Sequence, residues 1–250
     1  MELQYFSSGP RERVLDAVLA AGHKVLGVFI TDPARWPQVA RTVELAARHG
    51  IAVRIVRRAD LAGLGTELGG STCLSVGFAY LFPESFIAAT KLCLNVHGTL
   101  LPKYAGARTL NWVIEHGERE SGVTVHVIDA GIDTGPIVLQ RAFAVSRFDT
   151  GRSLYRKTLA FEPAVVVEAL ALFESGRAVI RVQDLAGVAR HADRTPKHSE
   201  LDPSCSLLEL FDKIRAADPE RYPAHFYVDG ERVCVRLWRP EKPADESDMV

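Results

Sequence analysis

The segment Leu92-Cys93-Leu94-Asn95-Val96-His97 is an apolar run that ends in two polar side chains, and the turn sequence Gly98-Thr99-Leu100-Leu101-Pro102 follows it. The run predicts a β-strand, and residues two apart on a strand face the same side. Asn95 and His97 can therefore aim at one point. An amide N–H can polarise a carbonyl group, and an imidazole can move a proton. The segment thus predicts a strand that brings acyl-transfer chemistry to one end of a sheet.

A carboxylate in a later glycine-rich turn completes this set. Asp133 lies in the sequence Gly131-Ile132-Asp133-Thr134-Gly135, between strands predicted at 123–128 and 136–139. Taken alone, an Asp in such a turn is explained by turn formation. If the turn folds over the sheet end, however, Asp133 can orient a water or raise the pKa of His97. The three side chains would then support acyl transfer without a nucleophilic Ser or Cys.

The first hundred residues alternate short apolar runs with segments of helical periodicity. This alternation predicts an α/β fold with a Rossmann-like, mostly parallel sheet. Ligands of such sheets bind at the carboxyl ends of the strands, where Asn95 and His97 lie. The predicted strands are 3–6, 24–31, 52–56, 72–76 and 92–96, the predicted helices are 11–21, 39–49 and 83–90, and a glycine-rich connection is expected near 63–70.

The rest of the chain predicts one large unit and a small appendage. A long helix at 150–175, interrupted at Pro163, belongs to a catalytic domain over residues 1–185. Residues 186–240 form a small C-terminal α+β extension, with a helix at 206–217 and a hairpin closed by Asp229-Gly230. The acidic tail 241–250 is expected to be disordered. The exposed hairpin is a candidate surface for a homodimer.

Charge and composition argue against several classes of protein. The net charge is −1, and residues 181–250 hold 11 Lys and Arg against 14 Asp and Glu, the wrong sign for nucleic-acid phosphates. No apolar run reaches membrane-spanning length and no signal peptide is recognised, so we expect no membrane partner. The four cysteines and eight histidines lack ligand-like spacing, so neither a disulfide framework nor a metal site is expected. A reducing cytoplasm fits this cysteine usage.

Two sequence blocks resemble the folate-dependent formyltransferases. The run from Asn95 to Gly106 is similar to the family's signature, and the runs 118–126 and 131–137 are similar to its second block. The resemblance is strong over about residues 75–140 and weak elsewhere. The chain departs from the family's pattern in two places, because that family usually has Ser near Gly98-Thr99 and often has Arg where Ala105 stands. These departures concern substrate detail and leave the three chemical residues intact.

The resemblance implies a reaction and roles for the residues that match. A formyl group would pass from 10-formyltetrahydrofolate to an amine, without a metal. His97 would transfer protons, Asn95 would stabilise the oxyanion, and Asp133 would hold His97 and a water. The backbone of Tyr80-Leu81-Phe82 would read the edge of the pterin, and Asp129 and Ile132 would close the other side of that pocket.

The formyl acceptor is less constrained, and several alternatives stay open. The extension after residue 185 and the run 106–112 resemble sugar N-formyltransferases, which favours a nucleotide-linked amino sugar as the small-molecule substrate. Hydroxyornithine, glycinamide ribonucleotide, hydrolysis of formyltetrahydrofolate and a non-catalytic folate-binding protein are the alternatives. A tRNA acceptor is disfavoured by the acidic C-terminal part.

Six residues are candidates for binding this acceptor. The turn containing Ser8, Gly9 and Arg11 could cradle a phosphate at a helix N-terminus, although a plain strand-to-helix turn explains it as well. Lys103 could meet an anion or simply be solvated. Tyr222 and Phe226 could stack on a base or line the sugar pocket, and packing within the hairpin explains them equally well.

Overall fold

The computed structural model describes residues 1–186, 188, 191–246 and 248–249. In that part of the chain, one seven-stranded sheet contains β1 (Glu2–Ser7), β2 (Lys24–Ile30), β3 (Val53–Ile55), β4 (Thr72–Val76), β5 (Leu92–His97), β6 (Glu120–Val127) and β7 (Ile137–Ala144). The helices packed around it are α1 (Glu12–Ala20), α2 (Ala40–Arg48), α3 (Leu61–Glu67), α4 (Glu84–Ala89), α5 (Leu110–Glu115) and α6 (Gly151–Glu174).

The strand order explains where a site can form. The sheet runs β3-β2-β1-β4-β5-β6-β7, with β1 to β5 parallel and β6 and β7 antiparallel. The order reverses at β1, so β1, β4 and β5 end side by side at the carboxyl edge, where a crevice opens in sheets of this kind. The predicted α/β fold with a mostly parallel sheet is confirmed.

One helix was not predicted from the sequence. The connection expected near residues 63–70 contains α3, although Gly63 and Gly65 are poor helix formers. Gly65 is needed for packing, because a Cβ built there would lie 2.6 Å from Cα of Phe86 on α4. The close approach of the two helices buries Leu61, Leu64 and Phe86, and this burial outweighs the low helix propensity.

We expect Gly65→Ala to destabilise the fold by about 1–3 kcal/mol, because the added methyl group must push α3 away from α4. Gly63 offers a matched control on the same helix, since a Cβ there would meet nothing within 4 Å. Gly63→Ala should be neutral or stabilising by up to about 1 kcal/mol. Urea denaturation of both variants measures the difference, and equal midpoints would contradict the packing argument.

The long helix α6 differs from the prediction, because it continues through Pro163 without ending. The proline has no N–H to donate within the helix. The loss is tolerated because the face that follows, including Val165, Val166 and Leu170, is buried against the sheet. The predicted cap is present, since Thr150 Oγ1 accepts the N–H of Ser153 at 3.1 Å.

The extension contains the expected helix and hairpin, here α7 (Leu207–Ala216), β8 (Ala224–Val228) and β9 (Glu231–Val235). Arg215 of α7 is buried and donates to the carbonyl of Asp149 at 2.7 Å, which ties the helix to the larger unit. The homodimer expected at the hairpin stays a prediction.

The ends of the extension are described only in part. Gly187, Ala189 and Arg190, at the proposed domain boundary, lie outside the described residues, and so do Ser247 and Val250 of the tail. The disorder expected over 241–250 stays a prediction. In the described part of this tail, the guanidinium of Arg239 forms ion pairs with the carboxylates of Glu246 and Asp248. Among the described residues, no helix is long and apolar enough to cross a membrane.

Candidate active site

A cavity of about 1140 Å³ opens at the carboxyl edge of the sheet. Asn95 and His97 reach it from β5, and Asp133 reaches it from the turn between β6 and β7. The strand therefore places the amide and the imidazole on one face, as the two-residue spacing predicts. Its lining also includes a group of aromatic side chains, here called the aromatic lobe, and a group of charged side chains, here called the charged lobe.

His97 is buried between two acceptor atoms. Its Nδ1 lies 3.3 Å from Oδ2 of Asp133, and its Nε2 lies 2.8 Å from the carbonyl oxygen of Tyr104. A carbonyl oxygen only accepts, so Nε2 carries a proton and donates it to Tyr104. The proton that this ring can exchange is therefore the one at Nδ1, on the side of Asp133.

The amide of Asn95 has a fixed orientation. Its Oδ1 accepts the hydroxyl of Ser75 at 2.9 Å, which turns its Nδ2 toward Asp133 at 3.3 Å and His126 at 3.1 Å. The ring of His126 donates from Nδ1 to the carbonyl of Val127 at 3.0 Å, so Nε2 is free to accept from Asn95. His126 therefore contacts both Asn95 and Asp133.

Among the described residues, Asp133 accepts two hydrogen bonds, and a third when His97 is protonated. Beyond His97 and Asn95, its Oδ2 takes the backbone N–H of Gly106 at 2.9 Å. Burial alone would raise its pKa, but the charge that His97 carries when protonated, the proximity of His126 and the N–H of Gly106 lower the pKa to about 2. Asp133 is therefore ionised throughout the physiological range.

The turn that carries Asp133 is held by a residue that the sequence analysis did not find. Asp133 has a φ of 54°, a left-handed conformation that is costly for a side chain with a Cβ. Gln183 donates from Nε2 to the carbonyls of Asp133 at 2.9 Å and Gly135 at 2.6 Å. No motif marks Gln183, because its role depends on a contact across fifty residues of chain.

Burial lowers the pKa of His97 below its ordinary value, while the carboxylate of Asp133 and the carbonyl of Tyr104 act in the opposite direction. The proximity of His126 lowers the pKa further. The balance between burial and Asp133 makes the protonation of this ring sensitive to its neighbours. Such sensitivity suits a group that exchanges a proton during a reaction.

The aromatic lobe lies beside the ends of β4 and β5. All five residues predicted for cofactor binding line the cavity, namely Tyr80, Leu81, Phe82, Asp129 and Ile132. The rings of Phe78 and Phe82 stack with centroids 5.4 Å apart and form an apolar wall. Asp129 also shapes the turn, because its carboxylate accepts the hydroxyl of Thr134 at 2.7 Å.

The charged lobe includes some of the predicted acceptor residues and not others. Arg11 and Tyr222 line the cavity. Ser8, Gly9, Lys103 and Phe226 are absent from its lining. Ser8 is buried and instead accepts the backbone N–H of Ala79 at 2.8 Å, Lys103 approaches Glu118 at 3.8 Å, and Phe226 packs within the extension.

Glu162 of α6 lines the cavity and is a second residue that the sequence analysis did not find. Its Oε2 lies 2.8 Å from Nε of Arg11, and Arg11 also donates to the hydroxyl of Tyr155 at 3.1 Å. Burial raises the pKa of Glu162 to about 7, and the charge of Arg11 opposes the rise. The helical periodicity could have placed Glu162 on the buried face of α6, since Val165 and Val166 follow it.

A sequence model of the formyl transferase family matches this chain over residues 13–170. That match covers more than half of the chain and includes Asn95, His97 and Asp133. The chain therefore belongs to the formyl transferase family, and it is an enzyme that transfers formyl groups.

Several solved structures share this fold. A glycinamide ribonucleotide transformylase from Symbiobacterium toebii is 30% identical, with a TM-score of 0.64 over 74% of this chain and 94% of that one. A sugar N-formyltransferase from a Shewanella species is 18% identical, with a TM-score of 0.76 over 95% and 97%. An N-formyltransferase from Helicobacter canadensis, in complex with folinic acid and dTDP-3-aminofucose, is 23% identical, with a TM-score of 0.72 over 92% and 84%.

Proposed function

We propose that the protein transfers a formyl group from 10-formyltetrahydrofolate to the amine of a nucleotide-linked amino sugar, in the cytoplasm. The observation that carries the proposal is the convergence of Asn95, His97 and Asp133 on one wall of a cavity whose lining also includes the aromatic lobe and the charged lobe. A donor bound in one lobe and an acceptor bound in the other would meet at these three side chains.

The aromatic lobe fits a folate. A flat heterocycle with polar edges suits a slot that combines aromatic walls with backbone donors and acceptors, and Phe78 and Phe82 provide such walls here. The Helicobacter relative is described in complex with folinic acid, which supports the same use of this fold. The bound donor supplies the electrophilic formyl carbon, and the residues of this chain supply orientation and proton transfer.

The side chains have defined tasks in this reaction. The new bond joins the acceptor nitrogen to the formyl carbon, the bond to the folate nitrogen breaks, and one proton passes from the acceptor amine to that folate nitrogen as it leaves. His97 can take that proton at Nδ1, because Nε2 is held by Tyr104. Asp133 stays ionised beside Nδ1 and favours the protonated ring. One Nδ2–H of Asn95 faces His126 at 3.1 Å, and the other makes a longer bond of 3.3 Å to Asp133, so this second N–H can be released to an oxyanion.

The extent of the similarities supports the choice of acceptor. Nearly all of the glycinamide ribonucleotide enzyme aligns, yet it covers only 74% of this chain. The sugar N-formyltransferase from Shewanella covers 95%, so its length accommodates a C-terminal extension as well. Glycinamide ribonucleotide is the second candidate acceptor, and the 30% identity of that enzyme favours it.

The charged lobe offers two cations for a diphosphate. Arg108 and Arg221 line the cavity, and no carboxylate pairs with either side chain among the described residues. The neighbouring Arg152 and Arg194 are already paired, with Asp218 and Glu115 respectively. Tyr222 lies next to Arg221 and can face a base or sugar ring. Unpaired guanidinium groups beside an aromatic ring suit a nucleotide diphosphate.

The acceptor is tested by measuring tetrahydrofolate release with 10-formyltetrahydrofolate and a panel of amines. We expect turnover with dTDP- or UDP-linked amino sugars, and inhibition by dTDP or UDP alone. Turnover with glycinamide ribonucleotide but not with amino-sugar nucleotides would overturn the sugar assignment. Equal release without any amine would show a hydrolase.

We expect Arg221→Ala and Arg108→Ala each to raise the KM for the amino-sugar nucleotide about tenfold, since each loses one charge-assisted bond to phosphate. The KM for 10-formyltetrahydrofolate should stay within twofold, because the aromatic lobe is untouched. Arg13→Ala is the matched control, because Arg13 is an exposed arginine outside the cavity. If the folate KM rises instead, the assignment of the two lobes is reversed.

A further inference from the structure

We propose that Tyr104 is a positioning residue, whose anchored side chain holds its own carbonyl on Nε2 of His97 and so fixes the ring nitrogen that exchanges protons. This inference rests on the proposed role of His97 in formyl transfer. It adds a residue that touches neither substrate nor reacting atoms.

The first argument is the backbone of Tyr104. Its φ is 57°, a left-handed conformation that is unfavourable for a bulky residue and persists only where the surroundings impose it. This conformation presents the carbonyl to His97 at 2.8 Å, and the hydroxyl of Thr99 donates to the same oxygen at 3.1 Å. The carbonyl is thus held at a fixed place beside the ring.

The second argument is the number of contacts that hold the Tyr104 side chain. The ring is buried, and its hydroxyl donates to Oε1 of Glu118 at 2.9 Å and contacts Nδ1 of His116 at 3.1 Å. Its face stacks on His191, with ring centroids 4.9 Å apart and planes 12° apart. These contacts restrain a residue whose backbone would otherwise relax.

The third argument is where His191 comes from. His191 belongs to the C-terminal extension, in a segment that packs on the loop after β5 and on α5. Trp112 Nε1 donates to the carbonyl of Ala192 at 3.1 Å, and the guanidinium of Arg194 lies 4.9 Å above the Trp112 ring. The extension therefore supports the ring of Tyr104, and through it the carbonyl that faces His97.

The consequence is a defined tautomer. When Nε2–H is bound to Tyr104, a neutral His97 ring has its lone pair at Nδ1, where Asp133 lies. If the carbonyl moves away, the ring can place its single proton on either nitrogen. A ring with its proton on Nδ1 has lost the acceptor site that the reaction needs.

The test compares the wild-type protein with Tyr104→Phe, which removes the hydroxyl contacts but keeps the ring. In ¹⁵N-histidine NMR spectra, with His97 assigned through His97→Asn, we expect the wild-type ring to be protonated on Nε2. Tyr104→Phe should show a mixture of tautomers. Its kcat should fall about tenfold, with both KM values within twofold, and the pH limb of His97 should move to lower pH because an acceptor of the protonated form is lost.

Two further variants complete the test. Tyr227→Phe, on the exposed hairpin, should match the wild type in every readout. His191→Ala removes the ring that stacks on Tyr104, together with its contacts to Trp112 and His116, and should shift the tautomer in the same direction, which keeps the test open if Tyr104→Phe does not fold. A single Nε2 tautomer and an unchanged pH limb in both variants would overturn the proposal. Native turnover of His97→Asn would instead refute the catalytic role of His97. The tautomer of His97 is measured in the wild type and in Tyr104→Phe without reference to turnover, so the two failures can be distinguished.

Discussion

Asp133→Asn is expected to lower kcat about 1000-fold, within the range that a proton-transferring pair contributes to catalysis. The carboxylate lies 3.3 Å from Nδ1 of His97 and favours the protonated ring. An amide keeps the size of the side chain but loses this charge. The variant should therefore bind both substrates nearly as well and turn them over slowly.

The same substitution should also change the pH dependence of kcat in a defined direction. The pKa of Asp133 is lowered to about 2, so in the wild-type enzyme it stays ionised and contributes no limb above pH 4. Because the carboxylate raises the pKa of His97, its removal in Asp133→Asn lowers that pKa further. The limb assigned to His97 should move to lower pH in Asp133→Asn, as measured by kcat from pH 5 to 9.

Asp129→Asn is the control for Asp133→Asn. It makes the same loss of charge in the same turn, and no contact joins Asp129 to His97 among the described residues. We expect it to affect the KM for 10-formyltetrahydrofolate and to leave the His97 limb in place. If Asp133→Asn retained near-native turnover, or if both variants lost kcat equally, Asp133 would have no special role.

The parts of the site that follow local sequence rules could be predicted. Asn95 and His97 share a face because a strand has a two-residue period, and their strand ends at the open edge because parallel strands end together. The aromatic lobe also follows from one contiguous stretch, Tyr80-Leu81-Phe82, after β4. Each of these expectations needs only residues that are near in sequence.

The parts that depend on distant contacts could not be predicted. Glu162 meets Arg11 only after α6 has packed against α1, and Gln183 meets the Asp133 turn only after the chain has returned along β7. The helix α3 was missed for the same reason, because Gly65 reads as a loop signal until Phe86 is placed against it. Sequence patterns report local preference, and tertiary packing overrides it at these positions.

Asn95→Ala is expected to lower kcat about 100- to 1000-fold, the usual loss when one oxyanion donor is removed. The amide of Asn95 is a neutral donor on this wall of the cavity. Its orientation is fixed by the hydroxyl of Ser75, which donates to Oδ1 at 2.9 Å. The developing negative charge forms only in the transition state, so KM for either substrate should change little. Steady-state kinetics over both substrates measures the two effects separately.

Ser75→Ala separates the orientation of the amide from its presence. Without the hydroxyl, the amide of Asn95 can turn over and present its oxygen to the cavity, at a cost of about 1 kcal/mol for one lost hydrogen bond. We therefore expect kcat to fall about fivefold, much less than for Asn95→Ala. A loss in Asn95→Ala that appears only in KM would show that Asn95 binds the ground state and that another donor stabilises the oxyanion.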